Sequence, residues 1–534
     1  MYDIIIKNGT IVDGTGAPRF RGDLGIVDGK IAHIGSLRND SAEVVINGTG
    51  KYVTPGFIDV NNHSDTYWRI FLSPQLESLV YQGITTIVGG NCGSSLAPLT
   101  SQDIILSIQK WADIQKVNLN WLTTEDFFDE LERKRLPINF ATLIGHGTLR
   151  RGIIQDDSRA LEAREQAMLA KLLEQSLSAG AIGMSTGLVY THARLATEEE
   201  LVSLAKVVAK YGGVYATHVR GERGELLNAI KEAIRVAVLS GVKLQISHLK
   251  AMGVSQWDLF DQALTLIDLA AKDGVDISFD VYPYTVTGSV LYTLLPDWVA
   301  EGGRRLMVER LKDSQTRREV ISEMRAEGFD YSKVIVAISP LAKTLSQKRI
   351  IDIAQAQGKS IEDSIIDILI ASEGHVVTMM DVLSEDNVRK ALQHPLSMVA
   401  SDGSGYSIAH KETGELVHPR NFGAFPRVLR KYVREEKLLT WEEAIRKMTG
   451  MPAERFSLTE RGIIKEGYYA DVIVFDPKKI NDLATVDNPY QYAEGIGWVI
   501  VNGEVIVQNG SFNERRAGRV IRSSSRSFLQ RIFH

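Results

Sequence analysis

Between about residues 52 and 450 the sequence repeats one pattern eight times: a short apolar, strand-like run followed by a helical stretch. The runs are 53–60, 85–89, 139–144, 181–185, 214–217, 243–247, 276–280 and 396–400. Apolar runs joined by helical crossovers pair in parallel, and eight such units predict an α/β fold, a (β/α)8 TIM barrel, over residues 53–454. One connection breaks the rhythm. Residues 285–395, after the seventh strand, are too many for a single crossover helix. They hold a helix-like segment at 300–311 and a strand-like one at 334–338, which predicts an inserted subdomain or lid.

Both chain ends have a different texture, with short β-rich runs broken by Asn8-Gly9, Asp13-Gly14, Asp28-Gly29, Asn502-Gly503 and Asn509-Gly510. Such dipeptides mark tight hairpins. Neither end has enough strands to bury a core alone, so residues 1–52 and 455–534 are expected to combine into one small β-sandwich formed by both chain termini. A polar, Arg-containing tail at 514–526 reads as a solvated terminus.

The charge balance, 61 Lys+Arg against 66 Asp+Glu, selects neither a nucleic acid nor an anionic membrane surface as partner. No apolar run approaches the ~18 residues of a membrane span, and the start Met-Tyr-Asp-Ile-Ile-Ile-Lys lacks a basic signal region. A cytoplasmic protein acting on a small molecule is expected, with homo-oligomerisation left open. One cysteine in 534 residues excludes an intrachain disulfide framework. Cys92 is therefore a buried filler, a reactive thiol or a lone metal ligand.

In a TIM barrel the chemistry sits at the C-terminal ends of the strands. There the sequence places Asn61-Asn62-His63, Asn91-Cys92-Gly93, Gly145-His146-Gly147, His218, His248 and Asp402. Four of the eleven histidines fall in these short windows, more than an even spread would put there. Imidazole, thiolate and carboxylate at one mouth suit Zn²⁺ with an open position for water, and a thiolate favours zinc over magnesium or calcium. Zinc would hold that water near a pKa of ~7 while a carboxylate moves the proton. Hydrolysis of an amide or similar bond is the expected chemistry. Each residue also has a plainer role open to it: Cys92 as a small apolar filler, His146 as loop support, Asp402 as a turn residue in Ser-Asp-Gly-Ser.

Val53-Thr54-Pro55-Gly56-Phe57-Ile58-Asp59, opening a barrel flanked by a terminal β-sandwich, resembles the amidohydrolase superfamily. Five further stretches are similar to its N-acyl-D-amino-acid deacylase (D-aminoacylase) branch. They are Thr217-His218-Val219-Arg220-Gly221-Glu222, Ser247-His248-Leu249-Lys250, Tyr282-Pro283-Tyr284, Ser401-Asp402-Gly403, and His418-Pro419-Arg420 through Phe425-Pro426-Arg427-Val428. The resemblance implies a zinc-dependent hydrolase that cleaves N-acyl-D-amino acids to a D-amino acid and a carboxylate. It places Cys92 where a cysteine replaces the metal-bridging lysine of other amidohydrolases, and matches His218 and His248 to the histidines completing the tight zinc site. Asp402 matches the general base that later acts as acid. Lys250 and Tyr282, joined by Tyr190, match positions holding the substrate carboxylate.

One departure stands out. The expected His-x-His after the first strand is Asn61-x-His63, and an amide oxygen is a poor zinc ligand. The resemblance thus implies one tightly bound zinc and an impaired second site at His63. A cyclic-amide hydrolase of the hydantoinase or dihydroorotase type is the alternative enzyme, disfavoured because those rely on an intact His-x-His and a bridging lysine. A metal-deficient, non-catalytic barrel is the alternative that Asn61 motivates. Arg420 is open to two readings, a partner for an acidic substrate side chain or a structural salt bridge.

Overall fold

Parallel pairing joins Phe57–Asp59, Ile84–Gly89 and Asn139–Thr142 in one sheet. It joins Ile144–Gly145, Gly183–Gly187, Val214–His218, Lys243–Ile246, Ile277–Val281 and Ser397–Val399 in another. The structure is a computed structural model and describes residues 1–101, 120–155, 157–341 and 345–523. The two sheets make one ring of eight strands. The third strand is interrupted only at Leu143, whose N–H donates to Gly89 O, while Ile182 N–H donates to Thr142 O. The first and last strands meet through a parallel bridge between Asn62 and Gly403. Every residue in these strands except Lys243 is buried, which is why they lack the in-and-out alternation of a half-exposed strand.

The crossover helices start where the sequence supplies caps. Thr123, Thr197, Ser384 and Thr440 each accept a hydrogen bond from an amide in the first turn of the helix that follows, and acidic residues complement that turn.

All eight strand assignments fall on observed strands, with one division that the pattern did not reveal. The run 53–60 is two strands: Tyr52–Pro55 pairs with Val472–Phe475 outside the barrel, and the barrel strand is Phe57–Asp59. The switch falls at Gly56, where a Cβ would collide with the Thr85 side chain. Its N–H is held by Asp471 O at 2.9 Å.

Strands from both termini form one nine-stranded sheet, in which Tyr2–Ile11, Phe20–Val27, Lys30–Gly35, Ala42–Asn47 and Tyr52–Pro55 join Val472–Phe475, Ile496–Val501, Glu504–Gln508 and Ser511–Phe512. The sheet folds back on itself: Ile31 N–H reaches Tyr468 O, and Gly29 lies against Asn502. Ile4, Ile6, Leu24 and Ile26 thereby share a core with Val472, Val474, Trp498 and Ile500. The alternate residues Ile473, Phe475, Val499 and Val501 belong to the barrel core.

The polar tail differs from expectation. Residues 518–521 lie along the third barrel strand, with Phe140 N–H donating to Arg519 O and Ile521 N–H to Phe140 O. Main-chain pairing of this kind leaves no trace in side-chain composition. Residues 524–526 of that tail lie outside the described residues.

After Tyr282 the chain builds a three-stranded antiparallel sheet from Val286–Val290, Val377–Asp381 and Val334–Ile338, with Val377–Asp381 in the middle. Helices Arg304–Lys312, Ser314–Glu327, Ile350–Gln357 and Ile361–Ala371 accompany it, and the helix-like segment at 300–311 resolves into Arg304–Lys312 after a short 3₁₀ turn. Glu385–Gln393 then leads back to the eighth barrel strand. Thr287, Gly288, Ser289, Val290 and Val377 roof the cavity at the barrel mouth. Among the described residues, no helix is long and apolar enough to cross a membrane.

Candidate active site

Cys92, His248 and Asp402 follow the second, sixth and eighth barrel strands, and all three have left-handed backbones, with φ of 51°, 37° and 48°. Such conformations cost an L-residue about 1–3 kcal/mol and persist only where the surroundings impose them. Here the strain lies where each strand must turn its next side chain into the mouth. Gly90 and Gly93, both at positive φ, bracket Cys92. A Cβ on Gly90 would run into the Leu143 carbonyl, so the turn that presents the thiol depends on that glycine.

The turns converge. Cys92 Sγ lies 3.4 Å from His248 Nε2 and 3.8 Å from His63 Nε2. One ligand atom each from Cys92, His218 and His248 falls within 4.8 Å of the others, and the same holds for His63, Cys92 and Asp402. The first set, one sulfur and two nitrogens, all buried, fits zinc with a position to spare. Burial, with Lys250 and His218 adding to it, pulls the His248 pKa down to about 4. The imidazole is therefore neutral at pH 7, as a metal ligand must be.

Glu222 links this set to the next. Its Oε1 is 3.3 Å from both His218 Nε2 and His248 Nδ1 and accepts a hydrogen bond from Lys250. Burial alone would raise its pKa, but Lys250 and His218 outweigh it and hold the carboxyl well below the usual range. Sequence reasoning quoted Glu222 within a motif and gave it no role. Only the fold shows that this side chain, four residues past His218, turns back beneath both imidazoles.

Asp402 has a partner on each oxygen: His63 Nε2 at 3.0 Å from Oδ1 and Arg420 Nη1 at 2.6 Å from Oδ2. Burial would raise its pKa as well, but Arg420, His248 and His63 prevail and keep it ionised far below the ordinary carboxylate range. Arg420 is buried, with its guanidinium 4.8 Å from the Tyr282 ring centroid. Of its two readings, the structure presents the salt bridge, and with Asp402 itself. Tyr282 donates to Thr287 Oγ1 at 2.8 Å, tying the seventh strand end to the roof.

Tyr190 meets His218 edge-on at 5.3 Å and lines the same cavity as Lys250, Arg420 and Asp402. His146 is turned away, with Nε2 2.7 Å from Glu200 Oε1, whose carboxylate also pairs with Arg150. Asn61 Nδ2 donates to Asp280 Oδ1 at 3.1 Å, and Asn61 Oδ1 is buried without a hydrogen bond among the described residues. Asp280, pushed up to about 6 by burial, also accepts from His248 N–H and Gln245.

Residues 44–507 match a family described as the amidohydrolase family. Over 522 residues the chain is 35% identical to a D-aminoacylase of Alcaligenes xylosoxydans xylosoxydans, covering 97% of each chain. The crystal structure of an N-acyl-D-glutamate deacylase from Bordetella bronchiseptica, complexed with zinc and a phosphonate mimic of the tetrahedral intermediate, is 33% identical. It covers 98% of this chain and 99% of its own, with a TM-score of 0.82. A D-aminoacylase structure, described as having a binuclear metal center with one-metal activation and second-metal attenuation, is 31% identical, covers 98% and 100% of the two chains, and also has a TM-score of 0.82.

Proposed function

The chain belongs to the amidohydrolase family, and from that premise we propose that it hydrolyses N-acyl-D-amino acids to a D-amino acid and a carboxylate with one zinc held by Cys92, His218 and His248. The observation that carries this reading is the buried meeting of one thiol and two imidazoles beside an ionised carboxylate and a buried arginine. Zinc, when bound, polarises the scissile carbonyl and acidifies a water.

The rest falls to the chain. Asp402, ionised and within reach of the same cavity, accepts the water proton and then delivers it to the leaving amine nitrogen. His63, 3.0 Å from Asp402 Oδ1, fixes the direction of that carboxylate. Lys250 and Arg420 place positive charge on one side of the cavity, where a substrate carboxylate is attracted, with the Tyr282 ring behind Arg420 and its hydroxyl bonded to Thr287, and Tyr190 closes the other side. The strand Val286–Val290 roofs the site and excludes bulk water.

This site suits a single metal. The attenuating second metal is a property of the D-aminoacylase structure. Here the position expected to carry a second-site histidine is Asn61, committed to Asp280, and Arg420 brings a fixed positive charge to Asp402. An Asn61→His substitution is expected to raise bound zinc from about one toward two ions per chain at excess zinc, measured by elemental analysis after dialysis. Unchanged stoichiometry would mean that Asn61 is not what limits the second site.

The proposed activity is tested by incubating zinc-loaded protein with N-acetyl-D- and N-acetyl-L-leucine and resolving the free amino acid on a chiral column. Release of the D-amino acid alone is expected. Hydrolysis of neither, or of the L-form alone, overturns the reading.

A further inference from the structure

Beside His218, Glu222 and Ser289 the inner cavity continues into a cleft of ≈ 840 Å³ between helix Leu226–Ser240 and the 289–300 stretch of the insertion. Four arginines line it, and each is already matched to a carboxylate. Arg194 pairs with Asp297, Arg220 with Glu232 at 2.8 Å, Arg223 with Glu327 at 2.6 Å, and Arg235 with Glu198 at 2.6 Å. Against those four cations the wall carries, among the described residues, six carboxylates, Glu222, Glu225, Glu232, Asp297, Glu323 and Glu327, and no lysine. Its uncharged part sets bulky apolar side chains, Val189, Met252, Tyr292, Leu295 and Pro296, beside the small polar Thr191, Ser289 and Thr293 and Asn228.

The cations of the inner cavity lie on the other side. Arg420 stacks on Tyr282 after the seventh strand, and Lys250 follows the sixth, whereas the cleft opens past Val189 and His218 at the fourth and fifth. A substrate whose α-carboxylate is drawn to Arg420 and whose carbonyl lies at the Cys92, His218 and His248 set extends its side chain toward the cleft. We propose that this cleft is the specificity pocket and that it selects D-amino acids with large uncharged side chains over acidic ones, because six carboxylates on its wall outnumber its four arginines, whereas in the inner cavity Lys250 and Arg420 match Glu222 and Asp402 one for one. An acidic side chain entering it meets a wall of net negative charge, whereas a large uncharged one does not.

This inference rests on the N-acyl-D-amino-acid reading and separates two activities that sequence identity does not. The chain is 35% identical to a D-aminoacylase and 33% identical to an N-acyl-D-glutamate deacylase.

The test compares kcat/KM of the zinc-loaded enzyme for the N-acetyl derivatives of D-leucine, D-methionine, D-glutamate and D-aspartate. It adds N-butyryl-D-leucine and two variants, Glu327→Gln and Asp297→Asn, which free Arg223 and Arg194 respectively. The expected result is a preference of about 100-fold for leucine and methionine over the acidic substrates. In either variant the acidic-to-neutral ratio should rise by about tenfold or more. If one variant fails to fold, the other carries the comparison. Equal or better hydrolysis of the acidic substrates by the unaltered enzyme, or a ratio unmoved in a folded variant, overturns the specificity while leaving the deacylase reading intact. A rate set by acyl length and indifferent to side chain overturns the assignment of the cleft. Hydrolysis of none of these substrates overturns the deacylase reading, and this inference with it.

Discussion

Replacing Cys92 with alanine is expected to lower bound zinc from about one ion per chain to near zero and to reduce N-acyl-D-amino-acid hydrolysis by ~10³-fold or more. Cys92 is the one residue common to both ligand sets, and the chain's only sulfur ligand of this kind. Without it the Cys92, His218 and His248 set keeps two imidazole nitrogens where a zinc site needs at least three protein ligands. The fold itself should suffer little, because alanine removes a single buried sulfur and inherits the same backbone strain at φ 51°. Metal-free wild type and metal-free variant should therefore unfold at similar temperatures. Zinc should raise the midpoint of the wild type alone, since a ligand stabilises only the state that binds it. Elemental analysis and thermal unfolding with and without chelator check both parts. A variant that keeps its zinc and its activity would remove Cys92 from the site.

Asp402→Asn is expected to act differently: zinc retained, kcat lower by ~10²–10⁴-fold, and the fold weakened. The loss of rate follows from removing the proton acceptor. The loss of stability follows from Arg420, which is buried and pairs with Asp402 at 2.6 Å. Deleting one partner of a buried ion pair strands the other, at a cost of about 3–5 kcal/mol. Adding Arg420→Met should recover much of that stability and none of the activity. The pH dependence carries a sign. Asp402 is held below its unfolded pKa, so its contribution to stability is complete above about pH 4 and fades as acid approaches the depressed value. Between pH 5 and 3 the wild type should therefore lose stability more steeply than Asp402→Asn. Denaturant unfolding across that range measures it, and parallel slopes would contradict the assigned pairing.

Most of the barrel was legible because its strands are buried on both faces, and the candidate ligands were legible because they stand at strand ends or within a few residues of them: His63, Cys92, His218, His248 and Asp402. What escaped depends on groups that side-chain patterning does not encode. The run 53–60 reads as one strand because all of it is buried, one half in the terminal sheet and the other in the barrel, and only the close approach of Gly56 to Thr85 marks the boundary. The tail at 518–521 pairs through main-chain groups that any residue carries. Glu222 and Arg420 stood in recognisable motifs, yet what they touch is set by loops that fold back over the mouth, one beneath His218 and His248, the other against Asp402. The cleft was invisible for the same reason: its charge pairs, such as Arg223 with Glu327, join residues far apart in the chain.

A single zinc anchored by one thiolate is the central claim, and zinc K-edge X-ray absorption on the dialysed protein tests it most directly. The predicted spectrum has one sulfur at about 2.3 Å and nitrogen or oxygen ligands at about 2.0–2.1 Å around one zinc per chain. A shell of nitrogen and oxygen alone, or no retained zinc, would contradict it.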